Sequence, residues 1–300
     1  MQSLSRGWSF LQQAWQMAFK DKDLIKPSIY AIIVGVIITV IGIVPLAGSV
    51  FLFGESGLVG RAITVLIGAV VIFIHYVISY VFSGMTVYLI YGYLAEGDGR
   101  MDKAWAKVQR EFWNIVSLAA ASTVVSVLTS QMRRGRSGRA AGNVVGGAVA
   151  GLVNTVWTEA SYLILPAMMI EDANLATGIK RATQIAKGNL LLVGVSTVGV
   201  RWVTGFISFV LGAIGLVLGL ALGYGLIAVS NASTAGIVLG IAFGGLVFLV
   251  FALVAGVISS YTMTAYNTCL FLWARDVERA QAQGKPIQVA APAPLAAALT

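Results

Sequence analysis

Two residues of opposite charge lie within long apolar stretches of this chain. Glu159 and Arg201 are at similar distances from the polar ends of two consecutive segments, near Glu171 and Asn189 respectively. If both segments are regular helices, the two charges reach the same depth. A charge within lipid is costly, and it pairs with an opposite charge on a neighbouring helix. The sequence therefore predicts a Glu159–Arg201 pair, either as a structural clamp or as a gated pair on a solute or proton path.

A second set of polar residues could line a cavity within the membrane. His75 lies deep in the second apolar segment, and Asn154, Thr155 and Thr158 lie close to Glu159. Such side chains either line a polar path or form hydrogen bonds to neighbouring helices. For His75 we favour a hydrogen-bonded packing role over a proton relay.

Few residues of this chain could support catalysis. There is one histidine and one cysteine, Cys269, which excludes an internal disulfide and a cysteine-built metal site. Residues 142–151 are glycine-rich but lack the Gly-Lys-Ser/Thr of a phosphate-binding loop. We therefore predict no catalytic residue, no cofactor and no metal, and a protein that is not an enzyme.

The composition is that of a membrane protein. Of 300 residues, 58% are hydrophobic and 11% are charged, and the mean hydropathy is +0.87. Soluble domains carry about a quarter charged residues, and the apolar runs are continuous, unlike the alternating strands of a barrel. The sequence predicts an all-α polytopic protein with about six transmembrane helices and amphipathic interfacial helices. The net charge of +8 indicates orientation and contact with anionic headgroups rather than nucleic-acid binding.

Six apolar segments follow one another along the chain. They cover residues 27–53, 61–94, 113–131, 140–169, 189–229 and 234–275. At about 1.5 Å per residue, the second and the last exceed a hydrocarbon core of about 30 Å. The second must tilt, break near Gly84 or project into the cytoplasm. The third barely spans, so it is either a buried helix or a re-entrant piece.

The last two segments carry regularly spaced glycines on both sides of a short polar link, residues 230–233. The glycines recur at every fourth position: Gly215, Gly219, Gly223, Gly236, Gly240 and Gly244. This spacing puts them on one helix face, where two backbones can approach closely within lipid. We predict a tightly packed hairpin, and the spacing leaves open whether the glycines face the same chain or another.

The ends of the chain differ from its middle. Residues 1–26 are predicted to form an amphipathic interfacial helix, because tryptophans beside lysines suit the headgroup boundary; packing onto cytoplasmic loops is the alternative. Residues 27–275 form the transmembrane domain, and the Ala/Pro-rich tail, 276–300, is expected to be flexible. Further amphipathic stretches cover 102–112 and 174–187.

Lysine and arginine concentrate on the side of the two termini. The positive-inside rule therefore predicts an inner (cytoplasmic) membrane protein with both termini in the cytoplasm. The arginine-rich loop 133–139 is the exception. It either faces outward as an anion-attracting patch, or segments three and four form a hairpin that does not fully cross.

Several short motifs carry a family resemblance over most of residues 1–275. They are Ser5-Arg6-Gly7-Trp8, Lys20-Asp21-Lys22-Asp23-Leu24, Gly97-Asp98-Gly99, Leu165-Pro166 and Glu171. With these motifs the chain resembles an uncharacterised family of bacterial and archaeal multi-pass membrane proteins, a domain of unknown function. It is more distantly similar to the membrane domain that accompanies some glycerophosphodiesterases, without their catalytic portion. The resemblance implies a six-helix membrane fold and brings no activity with it.

Two functional hypotheses remain. The first is a non-enzymatic structural or accessory subunit of a membrane assembly, in contact with the lipid bilayer and with other membrane subunits or further copies of itself. It rests on the glycine faces, the over-long helices and the lack of catalytic residues. The second is a transporter or channel for a small solute or lipid, and it rests on Glu159, Arg201 and the polar residues of segment four.

Overall fold

The computed structural model describes residues 2–53, 57–134, 140–188, 190–231, 233–284 and 290–299. Within these ranges the regular elements are helices, and the described residues contain no strand. The helices are α1 Gln2–Lys20, α2 Lys26–Phe53, α3 Leu58–Glu96, α4 Met101–Arg110, α5 Phe112–Arg134, α6 Ala140–Glu171, α7 Leu175–Gly188, α8 Leu190–Val229, α9 Thr234–Ala282 and α10 Ala293–Leu299.

Among the described residues, six helices (α2, α3, α5, α6, α8 and α9) are long and apolar enough to cross a membrane. This confirms the prediction of an all-α, multi-pass membrane protein.

Helix α5 runs without interruption for 23 residues, so it has no re-entrant break. Helix α3 is also continuous through Gly84, where the side chain of Met169 packs closely. Of the three alternatives for this segment, the break near Gly84 is therefore wrong. Most of the arginine-rich loop, 135–139, lies outside the described residues.

The chain folds as two compact units, and the first comprises residues 1–20, 191–266 and 290–300. Its centre is the α8–α9 hairpin, in which four of the six predicted glycines face one another, while Gly215 packs against Phe251 and Gly236 against Ser230. A methyl group added at Gly219 would lie 2.5 Å from the carbonyl oxygen of Gly244, and one at Gly223 would lie 2.7 Å from that of Gly240. The partner of the glycine face is thus the same chain.

Helix α1 packs on the end of this hairpin that is remote from the link. A methyl group at Gly7 would meet the carbonyl oxygen of Gly199 at 2.5 Å, and Tyr261 donates a hydrogen bond to the carbonyl of Ala14 at 3.0 Å. The tail, expected to be flexible, contains α10, which packs on α1 with Leu295 fully buried. An alanine-rich stretch forms a helix readily once an apolar surface is available to cover it.

The second unit comprises residues 21–190 and 267–289. Here α2 and α3 pair, and α3, α5 and α6 pack together. The largest fully buried side chains of these three helices are Leu89, Ile90, Ile115, Leu118, Ile164, Met168 and Met169. The short helices α4 and α7 follow α3 and α6. Asp21 joins the start of this unit to its middle, because its carboxylate accepts a hydrogen bond from the Gly99 N–H at 2.7 Å.

The glycine contacts predict the effect of a single methyl group. Gly219→Ala should lower the free energy of unfolding by about 1–3 kcal/mol, because the methyl group forces the two helices apart. Gly212→Ala is the matched control, since a Cβ there has no neighbour within 4 Å, and its helix propensity improves by about 1 kcal/mol. Denaturant unfolding in detergent micelles measures both. Equal stability of the two variants would contradict the packing described here.

Candidate functional site

The predicted polar residue His75 forms a link between α2 and α3. Thr39 Oγ1 lies 2.8 Å from the carbonyl oxygen of Gly35 and 3.1 Å from His75 Nε2. Because the hydroxyl has one hydrogen, which goes to the carbonyl, His75 Nε2–H donates to Thr39. A second link, between Ser49 and Thr64 at 3.2 Å, joins the same two helices. Both contacts join α2 to α3, and the packing role of His75 stays a prediction.

The predicted polar residues of α6 use their donors within their own helix. Thr155 donates to the carbonyl of Gly151 at 2.9 Å, and Thr158 donates to that of Asn154 at 2.8 Å. Such a bond gives the hydroxyl a hydrogen-bond acceptor within its own helix, so that no group from a second helix is needed in an apolar environment. The two hydroxyls therefore supply no free donor to a polar cavity.

A polar contact that the sequence did not reveal joins α3, α5 and α6. Ser122 on α5 is 1% exposed. Its hydroxyl accepts a hydrogen bond from Trp157 Nε1 at 2.9 Å and lies 2.8 Å from the Tyr80 hydroxyl. A serine within an apolar helix is a visible signal in the sequence, but its partners come from two other segments and only the packing identifies them.

The two members of the predicted pair belong to different units. Glu159 is half-buried on α6 in the second unit, and Arg201 is half-buried on α8 in the first. The Glu159–Arg201 pair therefore stays a prediction. Within its own unit, Arg201 lines a groove of about 400 Å³ together with Trp202, Gly205, Phe206 and Phe209.

A buried ion cluster closes one end of the second unit. The side chains of Lys107 and Glu111 are each 7% exposed and lie 3.5 Å apart. Lys107 also donates to the Asp172 carboxylate, which accepts a further bond from Arg110 at 2.7 Å. The bond from Lys107 is the main reason that the pKa of Asp172 falls to about 2. The i,i+4 spacing of Lys107 and Glu111 was the only sequence signal for this cluster.

Arg181 organises a second cluster, which involves α6, α7 and α9. It donates to Glu171 at 3.0 Å and also to Glu278, and its guanidinium lies 5.9 Å from the ring centroid of Phe271. These carboxylates are thus engaged in ion pairs between helices. Within the described ranges, no group of three His, Cys, Asp or Glu side chains is arranged to hold a metal ion.

The surface of the first unit has a deep apolar groove of about 430 Å³ between α8 and α9. We call it the hairpin groove. Its lining consists of Leu216, Gly219, Leu220, Gly223, Tyr224, Ile227, Gly240, Ile241, Gly244, Gly245 and Phe248. A Cβ at Gly245 would have no neighbour within 4 Å, so part of the floor is open. A groove with this lining can hold apolar groups, and it offers no acid, base or nucleophile other than the Tyr224 hydroxyl.

The sequence matches no protein-family model, and it matches none of the curated proteins. The resemblance to the uncharacterised membrane family therefore stays a prediction. The candidate site rests on the geometry of the chain itself.

The ion cluster at Lys107 predicts unequal effects of two substitutions. Lys107→Met should destabilise the protein by about 3 kcal/mol, because it removes the buried cation beside Glu111 and leaves that buried carboxylate with only Asn114 and the exposed Arg110. Arg110→Met removes a cation that is 65% exposed and should cost much less, because exposed ion pairs contribute little to stability. The free energies of unfolding in micelles, measured by circular dichroism, compare them. Similar losses would show that burial of the pair has no energetic consequence.

Proposed function

We propose that this protein is a non-enzymatic structural or accessory subunit of a membrane assembly, and that the hairpin groove binds a transmembrane helix of another subunit. The observation that carries the proposal is the groove itself, a concave apolar surface whose floor is open at Gly245. A cytoplasmic-membrane location with both termini inside belongs to the same proposal.

The chemistry of the groove favours a helix as its occupant. The open space at Gly245 lets a further helix approach closely. Close approach at small residues is how helices associate in lipid, where apolar burial supplies no driving force. Large residues stand at the rim, with Leu220 and Ile241 exposed by 66% and 67%. Such ridges can interlock with the side chains of a neighbouring helix. The volume lies within the range of about 300–1,000 Å³ that is typical of binding sites.

The polar groups of the spans support the same assignment. His75 and Ser122 are engaged in contacts between helices, and the threonines near Glu159 bond within α6. Hydrogen bonds between helices, such as those of His75 and Ser122, hold membrane helices together. A bundle in which these polar groups bond to one another suits a subunit that presents a docking surface.

Site-specific photocrosslinking in the native membrane tests this proposal. A photoreactive residue at Leu220 or Ile241 should capture the same single companion polypeptide. Val44 on α2, which is 73% exposed, is the matched control and should capture lipid alone. Gly245→Leu fills the groove at a position with free space and should abolish the crosslink while the protein stays folded.

Other outcomes of this experiment count against the proposal. Capture of lipid alone at all three positions leaves the groove without a helix partner. Capture of a second copy of this chain makes the groove an interface of a homo-oligomer. Either result transfers support to the second candidate function.

That second candidate is a transporter or channel for a small solute or lipid, favoured by the two charged residues Glu159 and Arg201 in apolar helices. Replacing them singly and together with apolar residues separates the two hypotheses. A clamp predicts that the double variant is folded and fully functional in cells, whereas each single variant is unstable because it leaves one unpaired charge. A transport path predicts loss of function in a folded double variant.

A further inference from the structure

The short helix α4 crosses the end of the second unit at one level. Near its start, a Cβ on Gly99 would lie 3.3 Å from the carbonyl oxygen of Leu89 on α3. Beyond its end, the Tyr80–Ser122 contact of 2.8 Å aligns α3 with α5. Leu89 lies about 14 Å beyond Tyr80 along α3. Phe112 lies about 15 Å beyond Ser122 in the same direction along α5. The two ends of α4 are therefore level, and α4 runs across the axes of the spans rather than along them.

This level coincides with one edge of the hydrocarbon core. Helix α5 contains 23 residues, which correspond to about 34 Å, whereas the core is about 30 Å thick. When α5 crosses the bilayer, its first residues therefore lie at the edge of the core. A charged residue marks the same level independently, because Asp21, which precedes α2, accepts the hydrogen bond from the Gly99 N–H at 2.7 Å. Helix α4 thus lies at the boundary between lipid and water.

Aromatic residues of this region are left uncovered by the protein. Trp105 on α4 is 47% exposed, and Phe112 and Trp113, at the start of α5, are 38% and 78% exposed. The rings of Phe112 and Trp113 meet edge to face, with their centroids 5.6 Å apart. We call these three residues the aromatic strip. At Trp113 the strip joins the outer surface of α5, because that residue lies in the first turn of the span.

The other sides of α4 indicate the direction in which the strip faces. At about 100° per residue, Ala104 and Val108 lie about 60–100° to one side of Trp105, and both are buried. Lys103 and Arg110 lie about 140–160° from Trp105, almost opposite to it. Because the buried side faces the bundle, the aromatic side and the charged side face away from each other. The aromatic side is the one that joins the span, so it faces the hydrocarbon and the charged side faces water.

The exposed cations of α4 already have partners within the protein. Lys103 lies 3.1 Å from Glu96, and Arg110 lies 2.7 Å from Asp172. A carboxylate beside each cation offsets its attraction to an anionic headgroup. Aromatic rings, in contrast, are enriched at membrane–water interfaces because one part of the ring is apolar and another is polar. Contact between α4 and the membrane therefore depends on the aromatic strip and not on charge.

We propose that α4 is an interfacial anchor, which lies flat in the headgroup layer with the aromatic strip inserted between lipids. Its partner is the lipid surface, whether zwitterionic or anionic. The anchor holds the end of α3 and the start of α5 at the membrane boundary. Helix α7 has no such role, because it contains no aromatic residue and exposes Lys180, Thr183 and Lys187. The anchor is separate from the hairpin groove, so it stands whether or not that groove binds a helix.

Depth measurements with a spin label test this anchor in the full-length protein in lipid nanodiscs. The label is attached at Gln109→Cys on α4 or, as the matched control, at Thr183→Cys on α7, since both positions are exposed. The native Cys269 is fully buried and is replaced by alanine in both variants. Collisions with oxygen, which dissolves in lipid, are compared with collisions with a water-soluble nickel chelate. The label at position 109 should favour oxygen, and the label at position 183 should favour the chelate.

Replacement of the tryptophan should release α4 from the membrane. Trp105→Gln should shift the label at position 109 to the accessibility of position 183, whereas Trp105→Phe should leave it unchanged. The label at position 109 should report the same depth in phosphatidylcholine and in phosphatidylglycerol.

Three results would overturn the proposal. They are equal access of the chelate to both labels in the protein with Trp105 intact, a depth that Trp105→Gln leaves unchanged, and a depth that requires phosphatidylglycerol. Trp105 is about half exposed, so its replacement leaves the buried core in place, and circular dichroism verifies the fold. Should Trp105→Gln fail to fold, the comparison of the two labels still decides.

Discussion

Helix length is the constraint on which this structure depends. Helices α3, α8 and α9 contain 39, 40 and 49 residues, which correspond to about 58, 60 and 73 Å. A hydrocarbon core is about 30 Å thick, and tilts of up to about 40° are the observed range. Even that tilt shortens the span by only about a quarter, so part of each helix must lie beyond the hydrocarbon core.

The burial pattern of α9 reflects two environments along one helix. Large apolar side chains are exposed from Ile237 to Val254, whereas every residue from 261 to 272 is buried. In lipid, an apolar side chain gains nothing by turning inward. In water, it must be covered. Helices α1 and α10 supply such cover within the first unit, where Tyr261 contacts α1 and Leu295 of α10 is fully buried.

Polar residues follow the same division. Within the apolar part of the spans, they occur as short hydrogen bonds, such as those of His75 and Ser122. At the helix ends, full charges occur in clusters around Lys107 and Arg181, where each buried charge has an opposite charge beside it. Replacement of a buried member such as Lys107 removes the opposite charge beside a buried partner, which is costly. The polar and charged side chains of these contacts thus occur in pairs and clusters rather than as single groups.

The sequence by itself determined the class of the protein, the number of apolar helices long enough to span a membrane and the approximate ends of those helices. The spacing of hydrophobic residues and the length of a helix are local properties of the sequence. Glycine at every fourth residue likewise marks a packing face, but it does not identify the partner of that face. The sequence also singled out His75, but it could not identify Thr39 as the residue that accepts a hydrogen bond from the His75 ring.

Tertiary structure alone decided which residues meet. The glycine face of α8 could have faced another chain, and it faces α9 because the short link returns the chain upon itself. Likewise, the sequence is compatible with Lys107 and Glu111 exposed to solvent. Their burial depends on packing with the end of α6, where Lys107 contacts Asp172, a residue distant in sequence. Contacts of this kind arise from packing between segments, and a periodic pattern within one segment carries no information about them.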